Sequence, residues 1–302
     1  MSNKKWEDFS EEEILEANIA KYEQDAIVQF YEDFDEPRYS YIEYEVIFTS
    51  VLETMRKKLG RPVRAVDMCG GAGKGAFTLK ACQPDCQVTL VDLSEKMLEV
   101  ARRKAVKNSL HDIDIVQADA FSFLAQENEY DLFVYSSALH HFKDPITLLQ
   151  QTAQKLSPQG MIISIADPNT LIKSRRYGFL QFTASNWENK KQVMKKKFGH
   201  LFGADTKQNT NLPDFDVAEY QTFTGIDDMA FTRQVQNIGL QPLIHLRYPA
   251  GEPYMTRILP YIGLYWAFST VLHKDTEPGY QIYQEQMKRE IATNLPFRIK
   301  YY

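Results

Sequence analysis

Apolar and polar positions change their spacing several times along the chain, and each change marks the edge of an element. Ser10 and Glu13 have the separation of a capping box, and the pattern behind them predicts a helix running to about residue 34. A second helix is expected over 41–59, stopped by Gly60 and Pro62. From there short apolar runs bounded by turn residues alternate with helical spacings. Strands are expected at 63–68, 87–92, 113–117, 130–136 and 160–166. Between them lie helices at 75–81, at 95–107 behind the cap Ser94, near Phe121, and after Asp144-Pro145, where cap and first-turn proline agree. Strands that alternate with helices require a parallel sheet covered on both faces.

After Asp167-Pro168-Asn169 the alternation stops for about fifty residues, then resumes with a helix at 226–238, capped by Thr224 and stopped by Gly239. A strand at 240–247, a last strand within 264–273 and a helix over 278–294 complete the pattern. The expected organisation is an N-terminal helical cap (1–60), a cofactor-binding core (61–169), a helical lid insertion (170–223) and the remainder of the core with a C-terminal helix (224–302).

Composition narrows the class. With 302 residues, 44% of them apolar, the chain suits one large domain, or one domain with a sizeable insertion. The longest apolar stretch, 258–272, is broken by Pro260 and Gly263 and falls short of the ~20 residues a spanning helix needs, so no membrane span is expected. Three cysteines cannot all pair, and residues 1–13 are acidic and polar where a secretory signal is basic and apolar, which points to a reduced, cytoplasmic protein. A net charge of -5 argues against general nucleic-acid affinity. Lys173, Arg175, Arg176, Lys190, Lys191, Lys195, Lys196, Lys197 and Lys207 nevertheless crowd one segment. That cluster reads as a solvated face, as a dock for the acidic N-terminal helices, or as a device that steers an anionic substrate.

The chemistry concentrates where strands end. Open parallel sheets bind ligands beyond the carboxyl ends of their strands. Asp67 ends the first strand, Asp92 the second, Asp119 follows the third, His140 the fourth and Asp167 the fifth. The loop from Cys69 to Gly75 has almost no side chains and lets backbone touch a ligand. Asp92 is placed to accept from two ribose hydroxyls and Asp119 from an adenine amine, with Leu93, Met97 and Phe121 as apolar faces for the base. The run Gly71-Ala72-Gly73-Lys74-Gly75-Ala76 also fits a dinucleotide fingerprint, which keeps an NAD(P)-dependent oxidoreductase open. Against that reading, Asp67 suits an ammonium better than a pyrophosphate.

Asp67, Gly71 and Gly73 match the acid-x-Gly-x-Gly-x-Gly motif of the class I S-adenosylmethionine-dependent methyltransferases, with Cys69 in place of the first glycine. The likeness continues through Val91-Asp92-Leu93-Ser94, Ala118-Asp119-Ala120-Phe121, Tyr130-Asp131-Leu132, Leu139-His140-His141-Phe142 and Leu156-Ser157-Pro158-Gln159-Gly160, about a third of the chain in the family's order. The chain therefore resembles that family. The resemblance implies an α/β, Rossmann-like, seven-stranded mixed sheet in the order 3-2-1-4-5-7-6 with the last strand antiparallel. It implies S-adenosyl-L-methionine as cofactor, with Asp67 and the Gly71 and Gly73 backbone at the methionine moiety, Asp92 at the ribose, Asp119 and the Ala120 amide at the adenine, and Ser136 as a further contact.

Leu139-His140-His141-Phe142 is similar to the Leu-His-Asp-Trp segment of small-molecule O-methyltransferases, which makes His140 the candidate base or a substrate contact and leaves His141 a structural residue. Asp167 and Asn169 are read either as lining the acceptor pocket or as forming a turn. Tyr22, Tyr31, Arg38, Tyr39, Tyr41 and Tyr44 crowd the segment that folds over the cofactor in related enzymes, and supply either a methionine-carboxylate ligand or ordinary packing. The carboxylates of metal-dependent relatives are replaced by Ser136, Ser137 and His140, and Cys82 and Cys86 lack partner ligands, so no metal is expected.

The expected function is methyl transfer to a small organic acceptor, on oxygen before nitrogen or carbon. The lid and the stretch 254–266 are expected to shape the acceptor pocket. A macromolecular acceptor, the oxidoreductase and a cofactor-binding regulator without turnover are the rivals, and a homodimer is left open.

Overall fold

A computed structural model of the chain describes residues 8–33, 36–178, 217–219, 221, 224–251, 253–274 and 278–302. One eight-stranded sheet organises them, in the order β3-β2-β1-β4-β5-β7-β6-β8. Its strands are β1 (Arg64–Met68), β2 (Gln87–Asp92), β3 (Ile113–Gln117), β4 (Tyr130–Ser136), β5 (Leu156–Pro168), β6 (Leu240–Tyr248), β7 (Ala267–Lys274) and β8 (Lys300–Tyr301). The first five pair in parallel, and β7 runs antiparallel between β5 and β6. The expected seven-strand order is present. The eighth strand is new: Leu246 and Arg247 pair with Tyr301 and Lys300, which covers part of the outer edge of β6. A two-residue strand has no periodicity to read in advance.

Helices cover both faces: α1 (Glu11–Tyr22), α2 (Asp25–Asp33), α3 (Ile42–Leu59), α4 (Lys74–Cys82), α5 (Glu95–Lys107), α6 (Ala120–Leu124), α7 (Pro145–Gln154), α8 (Asp228–Asn237), α9 (Pro253–Ile258) and α10 (Gln281–Asn294). The two-residue period of the strands separates two cores. Ala65, Leu132, Val134, Met161 and Ile163 pack with α3, α4 and α10. Their neighbours Val66, Phe133, Tyr135 and Ile162 pack with α6, α7 and α8.

Local caps hold several helix starts. Ser10 and Glu13 close a reciprocal capping box on α1, Ser94 caps α5, and Asp144 caps α7 with Pro145 in its first turn. Two expectations are corrected. The first helix ends at Tyr22, because the segment is captured from across the molecule: Ser94 Oγ donates to Glu23 Oε1 at 2.7 Å and Lys96 Nζ to the Glu23 carbonyl at 2.8 Å. Asp227, not Thr224, caps α8 by accepting from the Ala230 amide. Most of the expected lid, including Lys190, Lys191, Lys195, Lys196, Lys197 and Lys207, lies outside the described residues. Among the described residues no helix is long and apolar enough to cross a membrane.

At the end of the sheet opposite the site, Asp131 on β4 is a fully buried clamp. It accepts from both guanidinium ends of Arg61, from the backbone and side chain of Arg64, and from Ser157 Oγ. Burial pushes its carboxyl up, but the hydrogen bonds from Arg61, Arg64 and Ser157 outweigh that and hold it well below the usual carboxylate range.

Candidate active site

A cavity of about 900 Å³ lies beyond the carboxyl ends of the parallel strands. The bend after β1 forms its floor. Gly70 N donates to the Val91 carbonyl at 3.1 Å and Gly73 N to the Gly70 carbonyl at 2.8 Å, so the chain folds back before α4 begins. Cβ atoms on Gly70 or Gly75 would overlap the Asp67 carboxylate, and on Gly70 also the Leu90 side chain. Cys69 holds φ +58° where glycine is the easier residue. Ser137 after β4 and Ala166 within the end of β5 are also left-handed, at +52° and +64°, and all three line the cavity. Backbone strain thus gathers at three successive strand ends around one space.

Asp67 lies beneath this bend and is not among the residues that line the cavity. It is fully buried, accepts from the Ala76 amide at 2.7 Å and Ser136 Oγ at 3.3 Å, and has its carboxyl pushed up to about 7 by burial. It therefore ties the start of α4 to β4. Gly73 likewise does not line the cavity, whereas Gly70, Gly71, Ala72 and Lys74 do. Ser136 lines it as well.

Asp92 faces the cavity and is tied to the bend, with Oδ2 accepting from Gly71 N at 2.8 Å and Oδ1 from Ser94 N at 2.9 Å. The Leu93 backbone also hydrogen-bonds to the carboxylate, and of its roughly four acceptor sites room remains for a further donor. Burial raises its pKa above the ordinary value. Asp119 caps α6 with Oδ1 alone, which accepts from the Phe121 and Ser122 amides, both at 3.0 Å. Oδ2 takes part in neither bond. Leu93, Met97, Ala120 and Phe121 line the same region, and Phe142 meets Phe121 edge to face.

His140 lines the cavity from the turn after β4. Its Nδ1 lies 2.8 Å from Asp167 Oδ1, which also accepts the His140 backbone N–H at 3.2 Å. Nε2 is then the ring nitrogen that takes no part in the bond to Asp167. Asp167 stands behind the histidine instead of lining the pocket; it is fully buried and its Oδ2 has no hydrogen-bond partner. Burial raises its pKa, opposed by the bonds to His140. Asn169 is also withdrawn: Nδ2 donates to the Tyr265 carbonyl and Oδ1 accepts from Leu171 N. Asn169 thus takes the turn alternative, while Asp167 stands one layer behind the lining. His141 spends its nitrogens on the Ala218 carbonyl and Tyr22.

The N-terminal segment closes the cavity with Tyr22, Tyr31, Tyr39, Tyr41 and Tyr44, while Arg38 pairs with Glu45 outside the lining. Sequence reasoning missed Glu43, Glu36 and Lys74. Lys74 Nζ pairs with Glu36 at 2.6 Å and lies over the rings of Tyr41 and Tyr44. Glu43 lines the cavity, and burial pushes its carboxyl up to about 7. An acid in the first turn of a helix reads as an ordinary solvated position, so no local signal distinguished it. Among the described residues no group of three or more His, Cys, Asp or Glu could hold a metal ion.

Comparison with known proteins agrees with this geometry. Residues 68–164 match the methyltransferase domain family. Over 130 residues the chain is 32% identical to a demethylmenaquinone methyltransferase of Staphylococcus saprophyticus, covering 42% of this chain and 54% of that protein. A Staphylococcus aureus enzyme of the same name is 29% identical over 127 residues, 42% of this chain and 51% of that one. The chain thus spans about half the length of these curated relatives. Among solved structures, the plantazolicin methyltransferase in complex with SAH superposes with a TM-score of 0.54 at 18% identity, covering 87% of this chain and 96% of that one. Magnesium protoporphyrin IX methyltransferase from Synechocystis with bound SAH gives 0.51 at 13% identity, over 84% of this chain and 96% of that one. Strand order, acidic strand ends and domain match agree: residues 68–164 carry a methyltransferase domain, and the chain has the Rossmann-like fold of solved methyltransferases that bind SAH.

Proposed function

We propose that this protein moves the methyl group of S-adenosylmethionine to a small organic acceptor, on oxygen, with His140 taking the acceptor's proton. The carrying observation is that His140, steered by Asp167 through Nδ1, shares one cavity with Asp92 and Asp119. The acceptor room left on Asp92 suits a ribose hydroxyl, the unused Oδ2 of Asp119 suits an exocyclic amine, and the bare bend at Gly70 to Ala72 admits an amino-acid tail. Lys74 and Glu43 supply opposite charges toward that tail. The relatives' named acceptor, demethylmenaquinone, and the SAH in the solved neighbours support methyl transfer to a small organic acceptor, while the choice of oxygen rests on His140 alone.

When bound, the cofactor supplies an electrophilic methyl on a positively charged sulfur. The protein's work is alignment, exclusion of water and proton management. The aromatic wall of Tyr22, Tyr39, Tyr41, Tyr44 and Phe142 shields the space and supplies π surfaces of the kind that suit a cation. As the acceptor oxygen attacks, its proton passes to Nε2 of His140 while Nδ1–H remains donated to Asp167, whose carboxylate steadies the charged ring.

Titration calorimetry with adenosylhomocysteine, followed by an acceptor screen that detects its release, tests the reading. Binding plus acceptor-dependent release is expected. Uptake of a nicotinamide dinucleotide with no uptake of adenosylhomocysteine would replace the methyltransferase reading with the oxidoreductase, and binding without release across the screen would favour a regulator.

A further inference from the structure

We propose that α9 and the turn after it form a face that docks on an anionic lipid bilayer and sets the mouth of the cavity at that surface. The helix and turn have two sides. Pro253, Thr256 and Arg257 belong to the cavity lining, and Leu259 is buried. On the other side Tyr254, Ile258 and Tyr261 are 61%, 56% and 75% exposed, with Ile262 beside them at 38%. Tyr254 and Ile258 are one helical turn apart and share a face. Isolated exposed apolar residues such as Val106 need no explanation, but four within nine residues at a cavity mouth form a patch.

The rim of the patch is basic. The Arg298 guanidinium lies 4.9 Å from the Tyr261 ring centre, Lys300 Nζ lies 4.8 Å from that of Tyr265, and Arg176 Nη1 donates to the Ile262 carbonyl at 2.7 Å. Arg257 is exposed on the same helix. Residues 253–274 and 295–302 contain no Asp or Glu, in a chain of net charge -5. Segregating cations around exposed tyrosine and isoleucine matches an interfacial face, where apolar side chains enter the headgroup boundary and arginine and lysine meet anionic lipid. A protein partner of ordinary surface composition would not call for this concentration of cations around exposed apolar side chains. Resting on the methyl-transfer reading, this placement selects a lipophilic acceptor gathered from the bilayer; the docking itself needs no turnover.

Co-sedimentation with phosphatidylcholine vesicles, with and without phosphatidylglycerol, tests the face directly. The full chain is expected to bind the phosphatidylglycerol vesicles more tightly, with binding that weakens as salt rises. Arg298→Gln should lower that affinity about fivefold, and the double variant Ile258→Ser/Tyr261→Ser should lower it further. Val106→Ser on α5, remote from the patch, should bind like the parent protein. Adenosylhomocysteine affinity, measured on each variant, should stay unchanged and certifies folding separately from docking. Absence of vesicle binding by protein that takes up adenosylhomocysteine would overturn the proposal, as would binding indifferent to these substitutions. A dimer in light scattering that the double variant dissociates would make the face a self-association surface and also overturn it.

Discussion

Among single residues, Asp92 and His140 divide the labour most clearly. Replacing Asp92 by Ala removes the acceptor of the Gly71 amide together with the proposed ribose ligand, and should weaken adenosylhomocysteine binding by about 1–3 kcal/mol in calorimetry. Replacing His140 by Ala should lower turnover roughly 10²–10⁴-fold with cofactor affinity nearly intact; full activity in single-turnover assays would remove it as base. Asp92 was legible because its distance from the glycine bend is set by one strand-helix-strand unit. The withdrawal of Asp67 and Asp167 was not, since a strand-end acid reads the same whether its carboxylate meets a ligand or a buried amide. Asp67 meets Ala76 N, and Asp167 meets both nitrogens offered by His140.

The glycine bend and the Asp131 clamp show what whole elements demand. The motif singled out Gly71 and Gly73, yet the packing is tightest at Gly70 and Gly75, which sit against Asp67. A methyl group at Gly75 has to displace Asp67 or Ser136, so Gly75→Ala should cost about 1–3 kcal/mol in denaturant melts. At Gly71 a Cβ meets nothing nearer than Met97 Cε at 3.6 Å, so the penalty for Ala there is chiefly the left-handed backbone, about 1–2 kcal/mol. Asp131→Asn leaves Arg61 and Arg64 without their shared carboxylate. Because both arginines are partly exposed, the loss should be nearer about 2 kcal/mol than the larger cost of breaking a fully buried pair, read from the shift of the urea midpoint.

On the scale of the whole molecule, buried acids around the cavity set the response to pH. Asp67 and Glu43 both have their carboxyls pushed up to about 7, mainly by burial. A carboxyl raised in the folded state binds its proton more tightly there than in the unfolded chain, so its contribution is fully present below about pH 4 and is lost as pH rises to about 7. Asp67→Asn should therefore gain stability relative to the parent between about pH 4 and pH 7, measured as the difference in melting temperature across that range. A difference independent of pH would show that Asp67 stays ionised throughout. The depressed carboxyl of Asp131 works in the opposite sense, and its contribution is lost as pH falls below about 4.

Read from residues alone, the chain already declared its alternating core, the boundaries of β2, β3, β4 and α5, and the caps Ser10, Ser94 and Asp144. Periodicity and capping are settled between residues a few positions apart, which is why they are visible in a string of letters. Packing alone decided the rest: the break at Glu23 held by Ser94 and Lys96, the edge pairing of Lys300 and Tyr301 with β6, Asp67 turned under its own loop, and Glu43 inside the cavity. The first two join residues more than fifty positions apart, and the last two depend on which atoms close over a side chain. No local pattern encodes either, because desolvation and partner choice are properties of the assembled fold.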